Sequence, residues 1–415
     1  MNQEKISAIK ALMKSRLNRP MQYYLDLCTR CGLCYDTCHV YQGIPRREYS
    51  PVGRAEVVRR IFKKYFRTGG RLFPYWGEAR EIDDNIMEEL KDAAFSCTGC
   101  RRCMVNCPFG IDTGFLMTMA KIMLIGNESA PDELMILADS AVEKGKSIAE
   151  FKEGFHDVII DLEKKVQAKL GVATSDGLIP QDKKGADVLY VGLSGAHSIV
   201  NPAVIFNAAK ESWTLSFFEA VNFGAFLGDP EKMQFIANRV VNEAKELGVK
   251  EVVITECGTA YRIPKFLMGP LPFKVSSIAE VIDRYVTEGR IHLKEGAIEE
   301  PLTYHDPCQL GRNGGVFDEP RRVLGVLCKD FREMTPNREH NWCCGGGGGL
   351  VALDNEPFRI KSGRIKRDQI DATGAKLVAT ACENCVFQLD TIKSGFNMNV
   401  EVKYLSELVA DNLVL

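Results

Sequence analysis

Two periodicities divide this chain. Up to about residue 170 the apolar positions recur at helical spacing, and from Asp187 onward short β-branched runs alternate with helical stretches. Ile6, Ile9, Leu12, Met13 and Leu17 predict a helix over 3–17. Residues 53–66 read as an amphipathic helix with a basic polar face, 115–125 as an apolar helix, and 127–170 as two further helices. Gly171–Gly185, rich in Gly, Ser, Asp and Lys with one Pro, breaks the pattern and marks a domain boundary. Beyond it strands are expected at Val188–Gly192, Glu251–Thr255, Leu302–His305, Leu377–Thr380 and Val400–Tyr404. Helices are expected at 230–247, 277–287, 355–371 and 405–413. This alternation predicts an α/β region with largely parallel sheets.

With 415 residues the chain is long enough for two or three cores. Net charge is −2 and 45% of residues are hydrophobic, as in an ordinary soluble protein, and no basic excess points to nucleic acid. The N-terminus lacks the apolar stretch of a secretory signal, and no apolar run approaches eighteen residues, so neither export nor a membrane span is expected. Charge is uneven locally. Arg46–Arg71 carries nine Lys/Arg against two Asp/Glu, whereas 78–92 carries seven acids against two bases. These patches suit either partner steering or a solvated helical face closed by internal salt bridges.

Fifteen cysteines without a secretory signal argue for metal ligation over disulfides. Eight form two runs, Cys28-x2-Cys31-x2-Cys34-x3-Cys38 and Cys97-x2-Cys100-x2-Cys103-x3-Cys107-Pro108. The spacing is that of a bacterial two-cluster ferredoxin, in which the fourth cysteine of each run ligates the other cluster. On that rule Cys28, Cys31, Cys34 and Cys107 hold one [4Fe–4S] cubane, and Cys97, Cys100, Cys103 and Cys38 hold a second. His39 stands where proline usually follows the first run, and reads as a surface or packing residue.

Five more cysteines, Cys308, Cys343, Cys344, Cys382 and Cys385, make the pattern C-x34-CC-G-x36-C-x2-C. Adjacent cysteines are poor geometry for one tetrahedral zinc, and five thiolates exceed its valence. The glycine run after them, with Gly345, Gly346 and Gly347 foremost, lets backbone approach a cluster and aim N–H groups at its sulfurs. His305 and His340 are candidate proton donors beside this site, with Asp306, His197, Glu256 and Arg262 as further neighbours. Arg262, Arg312, Arg321 and Arg322 lie in loops suited to an anionic substrate. Cys257 reads as a nearby thiol or a vestige, and Cys328 as core.

Part of the α/β region repeats itself. Tyr190–Ser194 aligns with Tyr304–Cys308, Asn222–Ala225 with Asn341–Cys344, and Thr255–Ala260 with Thr380–Cys385. The first half then keeps Cys257 but has Ser194, Gly224, Ala225 and Ala260 for the other ligands, which leaves one five-cysteine site in the second half.

Two ferredoxin runs followed by this C-terminal pattern resemble the CCG-domain iron–sulfur oxidoreductases: the catalytic subunits of heterodisulfide reductases, DsrK-type proteins, the iron–sulfur subunits of glycolate and lactate oxidases, and the electron-transfer subunit of the benzoyl-CoA reductase complex. The resemblance implies an α+β and α/β protein, with a mostly helical ferredoxin-like domain (1–126), a helical linker (127–185), a depleted first CCG-like half (186–299) and a second CCG half (300–415). It implies two [4Fe–4S] cubanes and one non-cubane [4Fe–4S] cluster on the five cysteines, which would then be the catalytic residues. Two mechanisms stay open: thiol/disulfide chemistry at the special cluster, or a pure relay with the chemistry in a partner. A zinc scaffold is a third reading. No GxGxxG follows a strand, so electrons must come from a flavoprotein, a ferredoxin-like protein or a membrane cytochrome within a hetero-oligomeric complex. A cytoplasmic protein of an anaerobic metabolism is expected, with any attachment to the inner face of the membrane supplied by a partner.

Overall fold

The computed structural model describes residues 1–75, 78–145, 149–193 and 195–415. Ser194, aligned with Cys308 in the repeat, lies outside the described residues. The first domain is helical. Gln3–Arg16, Pro51–Phe66, Asp84–Phe95 and Thr113–Gly126 pack around Ile9, Met13, Val58, Ile61, Leu90, Leu116 and Met123. Ser50 starts the second of these helices by accepting the amide hydrogen of Gly53, ahead of Pro51 at its first position.

The basic character of that helix is absorbed within the domain. Arg54 and Arg59 turn inward and are 2% exposed. Lys64 pairs with Glu81 at 2.8 Å, Arg60 with Glu89 at 3.3 Å, and Arg67 with Asp26. Two of the acids of 78–92 therefore neutralise this helix, and the internal salt-bridge reading of the two patches is the one the structure favours.

The linking helices are Asp132–Glu143 and Ala149–Leu170. The first lays Leu134 and Ala138 on the helical core, and the second packs Ile159, Leu162 and Val166 on the following α/β core. Two small parallel sheets come next. β1 (Val188–Gly192), β2 (Trp213–Phe217), β3 (Glu251–Ile254) and β4 (Lys274–Ser277) form a sheet in the order β2-β1-β3-β4. β5 (Leu302–Tyr304), β6 (Leu377–Thr380) and β7 (Glu401–Tyr404) form a second in the order β5-β6-β7, with Phe331 bridging Leu302 in parallel on the free side of β5.

Sequence periodicity finds five of these strands and misses β2 and β4. Both carry serines that read as turns. Each serine is buried and satisfied: Ser216 donates to Glu243 and Ser276 to Glu251, both at 2.5 Å. The single helix expected at 355–371 is two, Glu356–Ser362 and Arg364–Asp371. They meet at Gly363, where a side chain would run into Ile392 at 2.5 Å. The middle alignment of the repeat also fails locally, because Asn222–Ala225 lies in a helix (Val221–Leu227) and Asn341–Cys344 does not. Gly224 is small because the Met233 amide lies 2.5 Å from where its Cβ would be, and Phe226 and Leu227 join the ferredoxin-side core.

Candidate metal centres

Both ferredoxin runs bend the same way. The residues immediately before and after the second cysteine are left-handed in each: Arg30 (φ 58°) and Gly32 (φ 85°) around Cys31, Gly99 (φ 64°) and Arg101 (φ 61°) around Cys100. Two arginines held at positive φ cost about 1 kcal/mol each, the sort of strain a fold retains where a loop must wrap something. The loops enclose two small cavities. Cys28, Cys31, Cys34 and Cys107 line the first; Cys38, Cys97, Cys100 and Cys103 line the second, and Cys103 reaches both. Each cavity brings together the four cysteines that crossed pairing groups, the first with Cys103 in addition. Cys31 is exposed, beside Leu33, which is also exposed.

Arg54 is the cation of the second cavity. Its Nε and Nη2 donate to Ser96 Oγ (2.9 Å) and Ser96 O (3.0 Å), and Nη1 lies 3.5 Å from Cys38 Sγ. Burial works to lower its pKa, but the sulfurs of Cys38, Cys97 and Cys103 outweigh this, and its pKa rises.

The five C-terminal cysteines converge on one buried point. Cys308 follows β5, Cys382 follows β6, and Cys385 sits in the first turn of the helix Glu383–Gly395. Cys344 Sγ and Cys385 Sγ are 3.4 Å apart, and all five residues are at most 8% exposed. Without a metal such sulfurs compete for protons: the crowding of neighbouring sulfur pushes Cys308 and Cys385 up and pulls Cys344 down. Five soft donors gathered away from water suit a cationic iron–sulfur group, which would satisfy them together. Two of the glycines turn their amides towards sulfur at its rim. The amides of Gly345 and Gly346 lie 3.4 Å from Cys343 Sγ and Cys344 Sγ.

The same glycines close the seam between domains. A Cβ on Gly347 would meet Thr98 O at 2.8 Å, and one on Gly348 (φ 66°) would meet Cys97 O at 2.7 Å. Around them Lys121 Nζ donates to Phe226 O (2.6 Å) and Gly348 O (2.9 Å), Arg312 Nη1 to Cys100 O (2.8 Å), and Gln309 Nε2 to Gly99 O (3.1 Å). Arg102 lies 3.5 Å above the Trp342 ring and donates to His340 O and Thr37 O. Gly348→Ala is expected to cost about 2–4 kcal/mol, from left-handed strain plus overpacking. Thermal melting should drop accordingly, with the loss of iron confined to the Cys97 site.

The candidate proton donors separate. His305 is fully buried, its Nδ1 is 3.3 Å from Asn341 Nδ2, and one of its nitrogens lies within 4.8 Å of the sulfurs of Cys344 and Cys385. Burial holds its imidazole neutral, well below the usual range. His340 is exposed on a short turn beside Glu339. His197 stacks on Tyr404, 4.5 Å between ring centres. Glu256 is tied to Ser406, and burial raises its carboxyl to about 7. Asp306 accepts both Arg321 amines (2.7 and 2.9 Å), and Arg322 grips Asp283 in the same way (2.9 and 2.6 Å). Arg321, Arg322 and Arg312 are thus scaffold cations rather than substrate-facing ones. Arg262 donates to Gln309 Oε1 at 2.6 Å and lines a cavity of about 430 Å³ with Arg16, Arg101 and Lys121. Cys257 is buried beside Cys382, and Cys328 packs in the core.

Sequence reasoning passed over one residue and read a second only as surface or packing. Lys366 is completely buried, donates to Asn341 Oδ1 (2.8 Å) and to Gln369, and faces Cys343, Cys344 and Cys385; burial lowers its ammonium to about 7. The signal was a lone lysine on a helix, indistinguishable from a solvated one. The other is His39. It is neither at the surface nor merely packed: at 2% exposure, one of its nitrogens lies within 4.8 Å of both Cys100 Sγ and Cys343 Sγ.

Comparison with known proteins supports both domains. Residues 24–111 match the 4Fe-4S dicluster domain and residues 302–390 the cysteine-rich (CCG) domain. Over 96% of its length the chain is 27% identical to an Hdr-like menaquinol oxidoreductase iron-sulfur subunit 2 from Archaeoglobus fulgidus, of which it covers 81%. Over 94% of its length it is 27% identical to a subunit of the dihydromethanophenazine:CoB--CoM heterodisulfide reductase from Methanosarcina mazei, covering 94% of it. An EtfAB:quinone oxidoreductase from Syntrophomonas wolfei is 22% identical over 89% of the chain, which spans 56% of that protein. The chain therefore resembles iron–sulfur oxidoreductase subunits of the CCG type, in both domains and in their order. Among the described residues no helix is long and apolar enough to cross a membrane.

Proposed function

We propose that this protein is the electron-transferring iron–sulfur subunit of a multi-subunit oxidoreductase, with a thiol/disulfide centre of its own. In this reading Cys28, Cys31, Cys34 and Cys107 hold one [4Fe–4S] cubane and Cys38, Cys97, Cys100 and Cys103 a second. Cys308, Cys343, Cys344, Cys382 and Cys385 hold a non-cubane [4Fe–4S] cluster. When bound, such groups supply one-electron transfer, and the last also supplies an iron open to a thiolate.

The observation that carries the reading is continuity. Exposed Cys31 opens the first cavity, Cys103 borders both cavities, and Cys100 of the second stands within 4.8 Å of Cys343 in the five-cysteine site. The protein's own groups manage charge along this line. Arg54 offsets the second sulfur set and Lys366 the third, and the glycine amides point at sulfur. Cleavage of a disulfide to two thiols takes two electrons and two protons. The 430 Å³ cavity is lined by Arg101 and Arg262 together with Cys97 and with Gln309, the neighbour of Cys308, and would receive an anionic substrate there. A flavoprotein, ferredoxin-like or membrane cytochrome partner would deliver the electrons, and would supply any membrane attachment of this otherwise cytoplasmic chain.

The two sheets are read as a duplicated CCG pair whose first member has lost its ligands. The run β1-β3-β4 of the first sheet corresponds to β5-β6-β7 of the second, with Phe331 beside β5 where β2 lies beside β1, and this supports the reading, as do Cys257 and Cys382, each the last residue before a helix. A pure relay within a larger complex is the second reading, favoured by the burial of all five C-terminal cysteines. EPR during an oxidant titration, with and without mercaptoethanesulfonate, separates the two. A thiol-dependent signal that vanishes in Cys343→Ala supports the substrate-binding centre. Full iron with no response to thiol supports the relay.

A further inference from the structure

His39 occupies a position that sulfur surrounds. It follows Cys38 directly, its side chain lines the second ferredoxin cavity, and one imidazole nitrogen lies within 4.8 Å of both Cys100 Sγ and Cys343 Sγ. Its Nε2 is buried with no partner in hydrogen-bonding geometry among the described residues, although the ring lies close enough to Cys100 to act on it as a donor, and an unmet buried N–H costs free energy unless sulfur accepts from it. The fold holds the ring there on purpose-built packing. His39 opens the short helix His39–Gly43, which is pressed against Glu356–Ser362 and Arg364–Asp371 of the C-terminal domain. Gly43 allows this approach, since a Cβ there would sit 2.1 Å from Lys361 O, and Arg364 Nη2 clamps Gln42 O at 2.6 Å. On the other side lies Gly345 (φ 100°), where an added Cβ would stand 3.8 Å from His39 Cδ2. The ferredoxin motif asks for nothing here beyond a residue such as proline, which has no donor to offer.

We propose that His39 is a positioning residue that couples the second cubane to the five-cysteine site, its ring N–H directed at the neighbouring sulfurs of Cys100 and Cys343. Resting on the three-centre reading above, this gives the histidine a task the motif proline cannot perform. A donor aimed at cluster sulfur raises the potential of that cluster, because it stabilises the extra electron. Its position between the two sulfur sets makes it the contact through which a change in one is felt by the other.

The test uses the whole anaerobically purified protein with EPR-monitored potentials, the first cubane serving as an internal reference. His39→Ala and His39→Pro are expected to weaken reduction of the second cubane about tenfold, 59 mV for a one-electron couple, with the first cubane unmoved. His39→Gln, which keeps a side-chain N–H, should recover at least half of that shift. An unchanged second cubane in His39→Ala, or a His39→Gln indistinguishable from it, overturns the proposal. Loss of the second cubane from the alanine and proline variants but not from His39→Gln supports a donor role, whereas equal loss from all three overturns it. Iron content keeps the two readings apart. Wild-type protein with only two cubanes would overturn the three-centre account and the coupling with it, while full iron and no shift would overturn the coupling alone.

Discussion

Lys366→Met should separate the empty and the loaded protein, moving them in opposite directions. In the iron-free chain the buried ammonium is a burden. Unfolded, it keeps its proton to about pH 10.5; folded, burial releases it near 7. Between those values the unfolded state holds more protons, so this group makes stability rise with pH, by at most about 1.4 kcal/mol per unit. Below pH 7 the whole cost of burying the charge is in place. Methionine fills the space without the charge, although Asn341 and Gln369 lose a donor. The net expectation is a gain of about 2 kcal/mol near pH 6 and loss of the rise between pH 7 and 10.5, read from thermal melts of the iron-free protein. In the loaded protein the same lysine balances the negative sulfur site. There the variant should lose about four irons per chain, or hold them at a lower potential.

The second large effect belongs to Arg54. Its guanidinium fills a site closed to water, with two bonds to Ser96 and one contact to Cys38. Arg54→Met leaves Ser96 O and the sulfur set without their cation. Removing one partner of a buried charge pair costs about 3–5 kcal/mol, and the loss should fall on the second cubane first. Arg54→Lys should not rescue it, because an ammonium cannot span Ser96 Oγ, Ser96 O and Cys38 together. Melting temperature and the EPR intensity of the two cubanes, compared in one sample, check both statements.

What could be read from the chain alone follows from how each feature is encoded. Cysteine spacing is local, so the two runs were legible, and the fold gathers them around two neighbouring cavities. Helices with clean apolar stripes were legible too; Pro230–Leu247 has the predicted bounds. Strands β2 and β4 were not, because their polar residues are satisfied by Glu243 and Glu251 from elsewhere in the chain. The glycine run was legible as an approach of backbone to sulfur, but not as the seam against Cys97–Thr98, which requires the other domain. Lys366 was invisible and His39 read only as surface or packing for one reason: their meaning comes from sulfurs of residues far away in sequence. Conversely, Arg321 and Arg322 looked available in sequence and are consumed by Asp306 and Asp283.

The central claim is three separate iron–sulfur sites on one chain, and iron stoichiometry with Mössbauer spectra of anaerobically purified protein tests it most directly. The account predicts about twelve irons per chain, with Cys344→Ala and Cys385→Ala each removing about four and leaving two ordinary cubane spectra. About eight irons in the wild type, unchanged by either substitution or accompanied by zinc, would contradict it.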